Sequence, residues 1–190
     1  MPSSMVHLMI AYDYNPGPPA EFWVGNIAPD CIDNRAESDK FHLRCSKDRE
    51  QALRGFAKTI NKDDLFAEGI LLHLFVDWKW DDDLRQQYIK YCNSGDWFQP
   101  YRNEIGLLSA RLYHDNLWSG KVWNEMISSD IPKYNKTKEI SSENILSILK
   151  RANTYHIDNP SATPVFYSVE SVIDFTGKTA EDYRKWRNTI

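Results

Sequence analysis

Cysteine is scarce in this chain. Cys31, Cys45 and Cys92 make an odd total of three, with no C-x-x-C spacing. That argues against a disulfide framework and against a cysteine-built zinc knot. No apolar run is long enough to read as a membrane span. The opening residues, MPSSMVHLMIAYDY, lack a basic segment followed by a long apolar stretch and a small-residue cleavage site. With no signal peptide in view, the expected location is cytoplasmic. A basic run is missing too. Lys and Arg total 23 against 27 Asp and Glu, a net charge of -4, and this balance speaks against a binder of long nucleic acids. The cations Arg44, Lys47, Arg49 and Arg54 form either a local basic patch or, the preferred reading, the solvated start of a helix. Internal repeats and low-complexity tracts are absent.

What is present suits a filled core. The 190 residues are 42% hydrophobic and 13% aromatic, which excludes disorder of the whole chain and fits one domain spanning residues 1–190. Seven Trp is a high number for this length. Several should pack at helix contacts or line a cleft, because the indole is large and its N–H wants a partner. Oligomeric state has no signature here.

Helical patterning dominates. Residues 4–14 form a first helix, ended by the NPGPP run at 15–19. A short helix over 20–27 is broken by Pro29, which leaves Asp30 in a loop. Residues 46–60 form a helix capped by Ser46, with Leu53, Phe56, Ala57 and Ile60 on its apolar stripe. Residues 63–80 are apolar on nearly every face and predict a central helix, with Asp63 and Asp64 at its positive end. Further helices are expected over 81–92 after a break near the three Asp, and over 99–118, 141–152 and 178–187. Asn159–Pro164 reads as a loop. Strand-like alternation is confined to Val165–Val172. The expected fold is all-α, a compact multi-helix bundle.

The chemistry concentrates on five residues. His73 and Asp77 are four apart on the central helix, so both side chains share one face. Polar groups on so apolar a helix need partners, because an unpaired buried carboxylate costs several kcal/mol or is forced neutral. A structural His–Asp hydrogen bond meets that need, and so does a shared metal ion with bonds of roughly 2.0–2.2 Å. The chain has only five His, at 7, 42, 73, 114 and 156. His7, His42 and His73 all lie in its first half in apolar contexts, with Asp30 and Asp77 beside them. That grouping favours the metal.

These residues also sit in recognisable strings. GNIAPD (25–30), FHL (41–43) and GILLHLFVDWKWDD (69–82), in that order over about the first 85 residues, resemble the zinc-dependent phospholipase C / P1 nuclease superfamily. The resemblance implies a mostly α bundle of that type. It implies a principal zinc held by Asp30, His42, His73 and Asp77, with His7 on a neighbouring metal and Asp77 bridging. Secreted members begin at a Trp whose amino group and carbonyl are ligands, whereas this chain begins Met1-Pro2 and its first Trp is Trp23. The family's further ligands have only loose counterparts in Asp81, Asp83, His114 and Asp115, taken as candidates for a second site. One or two ions are expected, zinc first and other divalent metals next.

The expected activity is hydrolysis of a small phosphodiester or a phospholipid head group. A zinc ion lowers the pKa of water toward ~7, Asp30 orients or deprotonates that water, and a second cation stabilises the leaving oxygen. Tyr12, Trp78 and Trp80 either cover the substrate or pack in the core. The alternative is a non-catalytic intracellular metal-binding protein on the same fold.

Overall fold

In the computed structural model, which describes residues 1–61, 63–93, 95–131 and 140–190, the apolar stretch after Asp64 runs as one helix, α5 (Leu65–Asp82), through the middle of the molecule. Asp64 starts it by accepting the Ala67 N–H at 3.0 Å. Phe66, Leu71, Leu72, Leu74, Phe75 and Val76 are all buried, so along its middle no face of α5 is left for water, and exposure returns only toward its ends. Packed on it are α1 (Ser4–Tyr14), α2 (Ala20–Ile27), α4 (Arg49–Thr59), α6 (Leu84–Cys92) and α10 (Val169–Arg187). A short α3 (Arg35–Phe41) leads into the stretch before α4, and α7 (Phe98–Asp115), α8 (Ser119–Ser128) and α9 (Ser142–Asp158) extend the same hydrophobic core. The described residues contain no strand, and none of their helices is long and apolar enough to cross a membrane.

Two glycines set the position of the central helix. A Cβ on Gly25 of α2 would lie 2.1 Å from the Phe66 carbonyl oxygen, and one on Gly69 of α5 would lie 2.3 Å from that of Phe22. Only a residue without Cβ allows such an approach, so the backbones of α2 and α5 touch reciprocally. Asn26, the next residue along, donates through Nδ2 to the Gly69 carbonyl at 3.4 Å. Both strings singled out in the sequence, GNIAPD and G-x-x-x-H-x-x-x-D, thus begin with the glycine of this crossing.

Several boundaries differ from the sequence reading. Asp48, not Ser46, caps α4, accepting the Gln51 N–H at 2.9 Å. Asp30 does not lie in a loop: Pro29 and Asp30 belong to a 3-10 turn, Ala28–Cys31, in whose first turn a missing N–H is harmless. The helix expected over 99–118 stops at Asp115, and α8 is a separate element. The strand suggested at Val165–Val172 is absent, because α10 starts at Val169, capped by Ser168. All three cysteines are free thiols.

Candidate metal centre

Four elements bring the five candidate residues together. His7 comes from α1, Asp30 from the 3-10 turn, His42 from the end of α3, and His73 and Asp77 from α5. Their ligating atoms fall into two overlapping groups, His7/Asp30/His73 and His42/His73/Asp77, each with all atoms within 4.8 Å of one another. His7, His42, His73 and Asp77 have no exposure, and the Asp30 side chain retains 12%.

The two central imidazoles are oriented by backbone carbonyls. His73 Nδ1 lies 2.8 Å from the Asn26 carbonyl oxygen, and His42 Nδ1 lies 2.7 Å from that of Ser38. Each Nδ1 therefore carries the proton and donates. In the neutral rings each Nε2 then presents a lone pair. Yet His42 Nε2 and His73 Nε2 face each other at 3.1 Å. Two lone pairs at that distance repel unless a proton or a metal ion joins them. Imidazoles that ligate metals are held in just this way, with the other ring N–H on a carbonyl.

The surroundings supply negative charge for such a cation. Asp30 Oδ1 is 3.6 Å from His42 Nε2 and 3.8 Å from His73 Nε2, and Asp77 Oδ2 is 3.6 Å from His42 Nε2. Donors bonded to one tetrahedral ion at roughly 2.0–2.2 Å stand about 3.3–3.6 Å apart, close to these separations. His7 stacks on His73 with ring centroids 3.9 Å apart, and its Nε2 is 3.6 Å from Asp77 Oδ1. Among the described residues, both His7 nitrogens, Asp30 Oδ1 and Asp77 Oδ1 are buried without a hydrogen-bond partner. Buried polar atoms are rarely left so. These orphaned atoms and the N/O donor set fit a divalent ion of the zinc class.

Titration follows from the same geometry. Burial pushes His73 down to about 3, with His7 adding to the effect, so the ring is neutral. Burial also disfavours the charged form of His42, but the Asp30 carboxylate and then Asp77 outweigh it and raise its pKa. Burial would raise both carboxyls. Instead His73 and His42 bring Asp30 to about 2, and His7 with the Met1 amine holds Asp77 well below its ordinary value. Both are ionised at neutral pH.

The second-site candidates do not join this group. Asp81 lies one turn beyond Asp77 but is taken by cations: Arg44 Nε at 3.1 Å, Arg49 Nη1 and Arg85 Nη1 each at 3.0 Å, and the Met1 amine at 3.6 Å. Asp83 is exposed and accepts from Gln87 at 2.7 Å. Asp115 pairs with Arg111 at 2.7 Å, and His114 Nε2 donates to the His156 carbonyl at 2.8 Å. The aromatics pack rather than line the cluster. Trp80 is buried and donates to the Tyr101 hydroxyl at 2.7 Å, Tyr12 stacks on Trp118, and Trp78 lies under Lys79.

Sequence reasoning named Arg44 and Arg49 as a candidate basic patch but missed their pairing with Asp77 and Asp81. Arg44, read as part of a solvated helix start, donates to Asp77 Oδ2 at 2.6 Å and to Asp39 at 3.4 Å besides Asp81. Burial opposes its charge, but Asp77 and Asp81 raise its pKa further above the usual arginine value. The spacing Gly69, His73, Asp77, Asp81 carried the signal: a residue every fourth position stays on one helix face, so Asp81 had to lie beside the cluster and need a counter-charge. No family model, no curated protein and no solved structure matches this chain. Fold and cluster together define it as an all-helical protein with a buried His/carboxylate centre.

Proposed function

We propose that this chain is a metal-dependent phosphodiester hydrolase using one zinc-class ion. The single observation that carries the metal is the 3.1 Å approach of His42 Nε2 and His73 Nε2, both with Nδ1 spent on backbone carbonyls. His42, His73, Asp30 and Asp77 hold the ion, and His7 backs Asp77. The phosphoester substrate is supported by the resemblance in GNIAPD and GILLHLFVDWKWDD, and by the guanidiniums beside the cluster.

When bound, the ion supplies Lewis acidity and lowers the pKa of water toward ~7. The chain's own groups do the rest. Asp30 is the only member of the cluster with exposure, so substrate and water enter on its side. Being ionised, its carboxylate accepts a proton from water and aims that water at phosphorus. Arg44 occupies the side of Asp77 that a second ion would need, so a fixed guanidinium stands where a two-metal enzyme has its other cation. It keeps Asp77 charged and offers positive potential to the leaving oxygen.

The complete burial of His7, His42, His73 and Asp77 also favours a closed, structural ion, since catalytic sites keep an open position. One experiment separates the two. Wild type and Asp30→Asn are assayed on bis(p-nitrophenyl) phosphate with metal content measured in each. The hydrolase reading expects metal-dependent turnover that falls by on the order of 10²-fold in Asp30→Asn. Bound metal without turnover in wild type leaves the structural ion.

A further inference from the structure

We propose that Arg49 forms a phosphoryl-binding subsite beside the metal cluster. Arg49 opens α4, and its Nη1 is fixed on Asp81 Oδ2 at 3.0 Å. The rest of the guanidinium is unspent: Nε and Nη2 are both buried and have no hydrogen-bond partner among the described residues. Those two N–H groups form one edge of the guanidinium plane, parallel and matched to two oxygens of one phosphate or carboxylate. An arginine that served only to neutralise Asp81 would have no reason to bury that edge away from water. The side chain is 12% exposed.

Charge points to the same class of ligand. Arg44, Arg49 and Arg85 all meet the single carboxylate of Asp81. Arg44 has Asp39 and Asp77 as further partners, but Asp77 is spoken for once an ion is bound. Arg44, Arg49, Arg85 and the Met1 amine then share Asp81 and Asp39, the latter also paired with Arg35, and an anion offsets the excess positive charge. Position supplies the third argument. Asp81 is one helical turn beyond Asp77 on the same face of α5, so an anion on Arg49 is linked to the ion through Asp81, Arg44 and Asp77. This rests on the hydrolase reading: the two non-bridging oxygens of a phosphoryl group are the chemistry held, either within a diester substrate or on the terminal phosphate that its hydrolysis yields.

The test is calorimetric titration of the metal-loaded protein with inorganic phosphate and, separately, with dimethyl phosphate. Wild type is compared with Arg49→Gln, which lacks both the charge and the edge, and with Arg49→Lys, which keeps the charge on Asp81 and guards against a folding defect. The expected result is binding by wild type that weakens at least tenfold in Arg49→Gln, and less in Arg49→Lys, at unchanged metal content. Preference for dimethyl phosphate assigns the subsite to the diester, and preference for inorganic phosphate to the terminal group. Wild type that takes neither ligand at millimolar concentration, or both variants binding as wild type does, overturns the subsite. Repeating the titration after chelation separates the two readings. Arg49-dependent binding in a protein that never held metal sinks the hydrolase, whereas metal-dependent turnover with phosphate binding indifferent to Arg49 sinks only the subsite.

Discussion

Glu104 on α7 and Asp77 on α5 are both buried carboxylates, 5% and 0% exposed, and they are treated in opposite ways. Glu104 is saturated. Its Oε1 accepts the Phe166 and Tyr167 N–H groups at 2.6 and 3.0 Å, and its Oε2 accepts that of Val165 at 3.0 Å. The negative charge is spread over three fixed donors, and the segment before α10 is thereby fastened to α7. Asp77 has one oxygen on Arg44 at 2.6 Å and the other without a hydrogen bond, 3.6 Å from an imidazole that is itself unpartnered. A carboxylate that only fastens the fold is given all its donors. One left short, facing other acceptors, is a place for a cation.

The comparison breaks most visibly under substitution with and without chelator. Glu104→Ala strands three backbone N–H groups, and orphaned buried donors cost ~1–3 kcal/mol each. The loss should exceed about 3 kcal/mol by denaturant unfolding and be the same in metal-loaded and chelated protein. For wild type, an ion present at a hundred times its dissociation constant adds about 2.7 kcal/mol, so chelation should lower the melting temperature by several degrees. Asp77→Asn should remove that response, melting alike in both conditions. A wild-type melting temperature indifferent to chelation would put Asp77 in the same category as Glu104.

His156 sharpens the contrast by a smaller amount. It is buried like the cluster histidines and its Nδ1 also lacks a partner among the described residues, but its Nε2 lies 2.8 Å from Ser109 Oγ and its ring stacks on Tyr113. Burial, with His114 adding, lowers its pKa to about 4. An unfolded histidine titrates near ~6.5, so below that pH the unfolded chain takes up a proton that the folded one refuses. The stabilisation is therefore complete above about 6.5, declines as pH falls, and levels off below about 4. In chelated protein, unfolding at pH 7, 5.5 and 4.5 should show wild type losing up to ~1.4 kcal/mol per pH unit more than His156→Gln. Parallel pH profiles would mean that His156 is solvated or already charged.

Much of this was legible because it is local. Helices α1 and α2 begin and end where apolar patterning and the NPGPP run predict, and His73 and Asp77 share a face by spacing alone. His7, His42, His73 and Asp77 were legible because polar groups in apolar strings need partners, whereas Asp30 and the ligand set as a whole came from the resemblance carried by GNIAPD. What escaped was held by distant contacts or lacked a period. Helix α3 buries no residue, so it has no apolar stripe to read, and its role is to present His42. In α10 the buried face runs through Thr176, Thr179 and Ala180 as well as Val172, Phe175, Tyr183 and Trp186. Polar threonines on that stripe hid its first half. Arg44 and Arg49 find Asp77 and Asp81 only because α5 packs alongside the segment that carries them, and no local pattern announces an ion pair between positions more than thirty residues apart.

The smallest effect belongs to Asp115. Read from sequence as a loose second-site ligand, it lies at the exposed end of α7 and pairs with Arg111 one turn back. Both side chains are partly in water, 34% and 47% exposed. Solvent screens such a pair, and exposed pairs at this spacing contribute ~0.3–0.5 kcal/mol. Asp115→Ala should therefore cost less than about 0.5 kcal/mol, vanish into error at high salt, and leave metal content untouched. A carboxylate that bound metal would behave otherwise on every count, because its loss would be insensitive to salt and abolished by chelator. If Asp115→Ala lowers the metal stoichiometry, a second ion lies near the end of α7, and Arg44 does not stand in for it.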